Sequence, residues 1–244
     1  MFPTACRAAI DQIRTQAVSP MSLLAALAMP AVFAFILYSH TATHTDAATA
    51  VGIAGIGMLN AVIVDLLVSL SGEKRWKTLY PALSSPGGLI PLVVGRLVGV
   101  AVQSLISLPG TLLMLTLIWG MSPNFDWSRW FLGGLCLAVA TTALVGLLSY
   151  SLLRFPSSPG MTNGLTGVLI ALSTLLVPST ALPPFMQPIA WLVPQSHVMA
   201  WVHGGAVAEL ATALSQSTLI YLVILLSVRR VEHAARARAI PLEA

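Results

Sequence analysis

Charge is what this sequence has least of. Of its 244 residues only 8% are Asp, Glu, Lys or Arg, against about a quarter in an ordinary soluble domain, while 57% are hydrophobic. So few charges do not clothe a water-facing surface of this size, which excludes an ordinary soluble globular domain. Cysteine is scarce as well. Cys6 lies in a basic N-terminal segment and Cys136 inside an apolar run, so neither a disulfide framework nor a thiolate metal site is indicated. The chain has no Gly-x-x-x-x-Gly-Lys-Ser/Thr loop to cradle nucleotide phosphates. It also has no His-Glu-x-x-His run, no Gly-x-Ser-x-Gly elbow and no pair of membrane aspartates, so no catalytic site is expected on it.

What stands in place of charge is length of apolar chain. A bilayer core of about 30 Å takes roughly 20 apolar residues per helical crossing, because lipid offers the backbone no hydrogen-bond partners. Six runs reach that length: Pro20 to Tyr38, Val51 to Leu70, Leu97 to Trp119, Trp130 to Leu153, Met161 to Val177 and Leu210 to Val228. None alternates with period two, which argues against an outer-membrane barrel. We expect an all-α membrane protein with a single transmembrane domain over 1–244. Its six crossings fall at 20–39, 50–71, 91–119, 130–153, 160–178 and 207–228, and the first is read as a retained helix, not a cleaved signal.

The few basic residues fix an expected orientation. With the N-terminus inside, Arg7, Arg14, Lys74, Arg75, Lys77, Arg154, Arg229, Arg230, Arg236 and Arg238 all fall on the inner side and only Arg129 outside, with Arg96 set aside within the third helix. Both ends, including the tail 229–244, are then cytoplasmic. The net charge of +4 reflects topology and indicates no nucleic-acid partner. A further apolar stretch reaches Ala208, but a seventh crossing would export the C-terminal arginines. Pro183, Pro184, Pro188 and Pro194 would break a helix there. We expect 181–203 to be a re-entrant outer hairpin, with Trp191 and Trp201 at interfacial depth. An ordinary hydrophobic loop packed on the bundle is the alternative.

Two segments carry mixed chemistry. Residues 2–18 set Phe2, Ala9, Ile10, Ile13 and Val18 among Arg7, Asp11 and Arg14, as in an amphipathic helix lying along the inner interface. Residues 73–86 hold the densest cluster of charge and aromatics, Glu73-Lys74-Arg75-Trp76-Lys77-Thr78-Leu79-Tyr80-Pro81-Ala82-Leu83-Ser84-Ser85-Pro86. Aromatic anchors within a polar rim suit a docking surface. A solvated positive-inside loop is the alternative.

The order Glu73, Lys74, Arg75, Thr78, Leu79, Leu83, Pro86, Gly95, Arg96 resembles that of the type-2 permeases of ATP-binding-cassette transporters, which include bacterial drug, antibiotic and polysaccharide exporters. Lys77 stands where that family usually has glycine. The proline-rich Ala181 to Pro194 segment is similar to the family's re-entrant hairpin, and the resemblance covers nearly the whole chain. It implies a permease subunit of the bacterial cytoplasmic (inner) membrane that pairs with a second permease subunit, identical or sister. It also implies two copies of a cytoplasmic nucleotide-binding ATPase, made as separate chains that carry ATP and Mg. Glu73, Lys74, Arg75, Trp76, Lys77, Thr78, Leu79 and Leu83 would form the cytoplasmic coupling helix between helices 2 and 3. The substrate would be a hydrophobic or amphipathic small molecule such as a drug, antibiotic or lipid. A secondary transporter without an ATPase partner is the alternative.

Asp65 and Arg96 lie at similar depths in the second and third helices, and an intramembrane carboxylate calls for a partner, so we expect an ion pair between them. A transport-coupling role for Asp65 is the alternative. Asn60, Gln103, Ser107 and Asn163 are candidates for lining a pathway, with hydrogen bonding between packed helices as the other reading. His40 and His44 are four apart but no third ligand is evident, so no metal is assigned.

Overall fold

The computed structural model describes residues 2–17, 20–40, 44–68, 88–123, 126–152 and 159–239. These residues are helical almost throughout. Their helices, numbered in order, begin with α1, Phe2–Ala17, and α2, Pro20–His40. Next comes α3, Ala47–Ile63, which runs on into a π-helical turn over Val64–Val68. Then follow α4, Ile90–Ser104, and α5, Ser107–Leu113, which ends in a second π turn, Met114–Ile118. The second half holds α6, Trp127–Leu152, α7, Pro159–Leu172, α8, Gln187–Trp191, α9, Pro194–Val202, and α10, Val207–Ala239. Among the described residues the extended pairing is a two-residue parallel bridge of His44–Thr45 with Ser122–Pro123.

Four helical stretches are long and apolar enough to cross a membrane: Ala47–Leu66, Ile90–Ile118, Trp127–Tyr150 and Val207–His233. The apolar helical stretches Leu24–Ile36 and Asn163–Leu172 are shorter. In the run read as 160–178, α7 stops at Leu172. The chain then reverses through Thr174 at φ 51, a left-handed conformation uncommon for a β-branched residue. At the other end, α10 continues past the tail boundary at 229, through the arginines to Ala239.

Local chemistry sets several of these boundaries. Asp46 caps α3, accepting from the Thr49 N–H at 2.9 Å. Asp126 does the same for α6, accepting from the Ser128 N–H at 2.8 Å and its hydroxyl at 2.7 Å. Those Ser128 contacts, the side chain first, hold the exposed Asp126 carboxyl below its ordinary range. Between α4 and α5 the helix breaks at Leu105 and Ile106, one turn before Pro109. Pro109 has no N–H for the Leu105 carbonyl and its ring crowds that position; Leu105 O accepts from Leu108 N at 3.0 Å instead.

The centre of the molecule is α3, buried along nearly its whole length. Its glycines explain how neighbours come so close. A Cβ on Gly52 would stand 1.9 Å from the Leu175 carbonyl oxygen, the residue that follows the reversal at Thr174. A Cβ on Gly57 would meet the Ala26 carbonyl of α2 at 2.4 Å. That carbonyl belongs to the residue four before Pro30, so α2's own ladder leaves it free. Ser107 Oγ donates to it at 3.0 Å, and Asn60 Nδ2 donates to the adjacent Ala25 carbonyl at 2.9 Å. The proline's missing hydrogen bond is thus replaced from a neighbouring helix, as an apolar interior requires.

The amphipathic α1 packs on α4. Cβ atoms on Gly95 and Gly99 would lie 2.6 Å from the Ala5 carbonyl and 2.9 Å from Gln12 Cβ, so one small-x-x-x-small face of α4 receives α1. Arg7, Asp11 and Arg14 remain exposed on α1.

Candidate functional site

The candidate docking residues Glu73, Lys74, Arg75, Trp76, Lys77, Thr78, Leu79 and Leu83 lie outside the described residues, as does the rest of 69–87. The chain re-enters description at Gly88, in the left-handed region at φ +68. The following helix α4 starts from Leu89, whose side chain has nothing with which to cap it. Glu232 supplies the acceptor from far along the sequence: its Oε2 takes the Leu89 N–H at 3.2 Å, and its carboxylate rests on Gly88 where a Cβ would stand. An anion at a helix start also meets the positive end of the helix dipole. Gly88 and Leu89, which follow the 73–86 segment in sequence, are therefore bound to the arginine-bearing end of α10, and α1 packs further along α4 at Gly95 and Gly99.

Asp65 falls in the π turn at the end of α3, 3% exposed, and Arg96 in the second turn of α4, half-buried. A π turn swings side chains out of the α-helical register, a feature frequent at functional positions. Of the pathway candidates, Asn60 is engaged in holding α2 to α3. Gln103 is half-buried in the last turn of α4, and Asn163 is exposed on α7 beside Gly164.

In the proline-rich segment, Pro188 and Pro194 begin α8 and α9, where a missing N–H costs nothing. Pro183, Pro184, Pro188 and Trp191 are exposed and Pro194 is buried. Phe185, Trp191 and Leu192 are each at least 60% exposed, so α8 presents an apolar outer surface. Beneath it sits a polar node that sequence reasoning did not single out. His197 of α9, 5% exposed in its side chain, places Nδ1 2.6 Å from Glu209 Oε2 and Nε2 2.8 Å from the Trp191 carbonyl. Gln216 of α10 donates to the same carbonyl at 3.2 Å, and the Trp191 ring meets the imidazole edge-on at 5.6 Å. A carbonyl only accepts, so in the contact with Trp191 it is Nε2 that donates. The Nδ1–Glu209 contact ties α8 and α9 to the start of α10. The available signal was a histidine in a charge-free stretch, with Glu209 twelve residues on at the next helix start.

Among the described residues no three of His, Cys, Asp and Glu gather to hold a metal ion. Cys6 is exposed on α1 and Cys136 half-buried in α6. The chain matches no family model and no curated protein. What the fold defines is an all-helical protein whose four long apolar helices are consistent with life in a membrane.

Proposed function

We propose that this chain is the permease subunit of an ATP-binding-cassette exporter of the type-2 kind. It crosses the inner membrane six times with both ends cytoplasmic, and α2 and α7 are the two further crossings. The observation that carries the reading is the setting of the helix that follows the 73–86 segment. In sequence a charged, aromatic stretch joins two long apolar helices, and the α4 start just after it is held by Glu232 of α10 and, further along α4, by α1. A segment so connected passes a push from a cytoplasmic ATPase into three helices at once.

The pathway would form between two permease subunits. On α7, Gly160, Asn163, Gly164 and Gly167 share one exposed face, and Cβ atoms on the three glycines would meet nothing within 4 Å. Small residues beside a polar amide suit close approach of a second membrane helix. Asn163 would then face the other subunit and the cargo. Asp65 with Arg96 forms the intramembrane ion pair of the α3–α4 corner. The α8–α9 hairpin, latched by His197 and Glu209, closes the outer side. Cargo is a hydrophobic or amphipathic small molecule.

Purification from native membranes and reconstitution tests this directly. The expected result is a co-purifying cytoplasmic ATPase and ATP-dependent export, both lost when Glu73 to Lys77 are replaced by alanine. Transport that runs on an ion gradient with no ATPase attached overturns the proposal in favour of a secondary transporter.

A further inference from the structure

Between α4, α6 and α10 runs a groove of about 470 Å³, bounded by Val98, Ala101 and Val102 on the first, Ala138 on the second, and Tyr221 and Leu225 on the third. Its walls are hydrocarbon. The one hydroxyl in the lining, on Tyr221, is spent on the Val139 carbonyl at 2.9 Å, so nothing polar faces the hollow. Val98 and Val102 are about half exposed, and so the groove opens sideways from stretches that are apolar enough to cross a membrane.

Its length runs from Val94 to Leu105, roughly 16 Å at the helical rise, about half of a bilayer core. One leaflet's hydrocarbon chain fits that span. A second copy of this chain fits it less well: a helix about 10 Å wide would rest on the lips of the groove and leave its floor unfilled. Helix contacts suit the flat glycine face of α7 instead. Beyond the lining, the same side of α10 carries charge. Tyr221, Leu225 and Arg229 follow one another at four-residue steps along α10, so the groove's wall on that helix leads one turn further to an exposed guanidinium. Arg230 lies next to it. Guanidinium groups pair bidentately with phosphate.

Resting on the membrane-spanning reading above, we propose that this groove is a binding site for an anionic bilayer phospholipid. One acyl chain lies between α4, α6 and α10, and the headgroup phosphate sits on Arg229, in the leaflet on the arginine side. Held there, the lipid fills the space between three helices and fixes their spacing.

The test uses the full chain, purified in detergent and exchanged against phosphatidylglycerol or phosphatidylcholine of identical chains, with bound lipid read by native mass spectrometry. A tightly held phosphatidylglycerol is expected on the native chain. Val98→Trp and Val139→Trp, on opposite lips of the groove and both partly exposed, should remove it while leaving the thermal unfolding transition cooperative. Arg229→Gln should leave lipid bound but abolish the preference for phosphatidylglycerol. Equal lipid retention by both tryptophan variants overturns the proposal. So does a change in oligomeric state on filling the groove, which would mean that a second copy occupies it. Failure of the membrane reading is seen separately, as recovery of the chain from cells without detergent.

Discussion

Two long helices of nearly equal hydropathy have opposite fates in this molecule. In α3 the most apolar window is 83% buried inside the protein; in α10 it is 22% buried. Hydropathy does not separate them. Glycine does. Among buried Ile53, Ile56, Met58 and Leu59, α3 carries Gly52, Gly55 and Gly57, which admit neighbouring segments to close contact, and α10 has no glycine. The α10 surface carries Leu214, Leu219, Leu222 and Leu226, long side chains that point away from the bundle. In a bilayer an apolar side chain gains little by leaving lipid for protein, so what draws a helix inward is close packing.

The largest effect is expected where that packing is tightest. Gly52→Val puts a branched side chain against the Leu175 carbonyl, and backbone cannot rotate aside as a side chain would. Overpacking of a core usually costs about 1–3 kcal/mol and here should exceed it. The expected outcome is no monodisperse protein by detergent size-exclusion chromatography. Normal elution would mean that the α3–Leu175 contact is not a constraint.

Next in size is Leu219→Arg, near the middle of α10 and 62% exposed. In water an exposed leucine to arginine change is nearly neutral. At the centre of a membrane helix it costs about 2.5–3.5 kcal/mol on insertion scales. A large loss of membrane-inserted chain is expected in a glycosylation-reporter insertion assay. No change would place this face of α10 in water and undo the comparison.

The contrast between these helices explains which features could be read in advance. Apolar run length is a property of each segment alone, and the six runs all contain helices, though α7 ends at Leu172. Proline effects are equally local: the starts of α8 and α9 and the break before Pro109 follow from one missing N–H each. The role of Gly52 or Gly57 is different in kind. A glycine in an apolar helix looks the same whether a carbonyl or a lipid tail approaches it, and only the partner helix decides. The same holds for the polar contacts. Leu89 finds its acceptor in Glu232, 143 positions away, and His197 finds Glu209 across a chain reversal. The helical continuation of α10 through Arg229 to Ala239 involves good helix formers, which charge counting treats as a tail.

His197→Ala is expected to have the third-largest effect. It removes the two hydrogen bonds of the buried imidazole, one to the part-exposed Glu209 carboxylate and one to the Trp191 carbonyl, each worth about 0.5–1.5 kcal/mol. The loss should appear as a lower melting temperature together with faster hydrogen exchange confined to α8, α9 and the start of α10. Uniform acceleration throughout the chain would show that the node is no local latch.

The smallest effect distinguishes the hydroxyls of the two regions. In the α3 neighbourhood Ser107 donates across helices, to the Ala26 carbonyl that Pro30 leaves free. On α10 the serine and threonine hydroxyls bond back into their own helix, among them Ser217 to Ala213, Thr218 to Leu214 and Ser227 to Val223. A back-bonded hydroxyl shares a carbonyl that already has its helical partner, so deleting it strands nothing. Ser107→Ala removes the one donor shown at Ala26 O and should cost about 1 kcal/mol, whereas Thr218→Val should lie within about 0.5 kcal/mol of the parent. Thermal melts of the two variants in the same detergent measure the difference. Equal melting temperatures would mean that the free carbonyl is served some other way. A deficit for Ser107→Ala alone would show that the buried region is held by hydrogen bonds between helices as well as by its glycines.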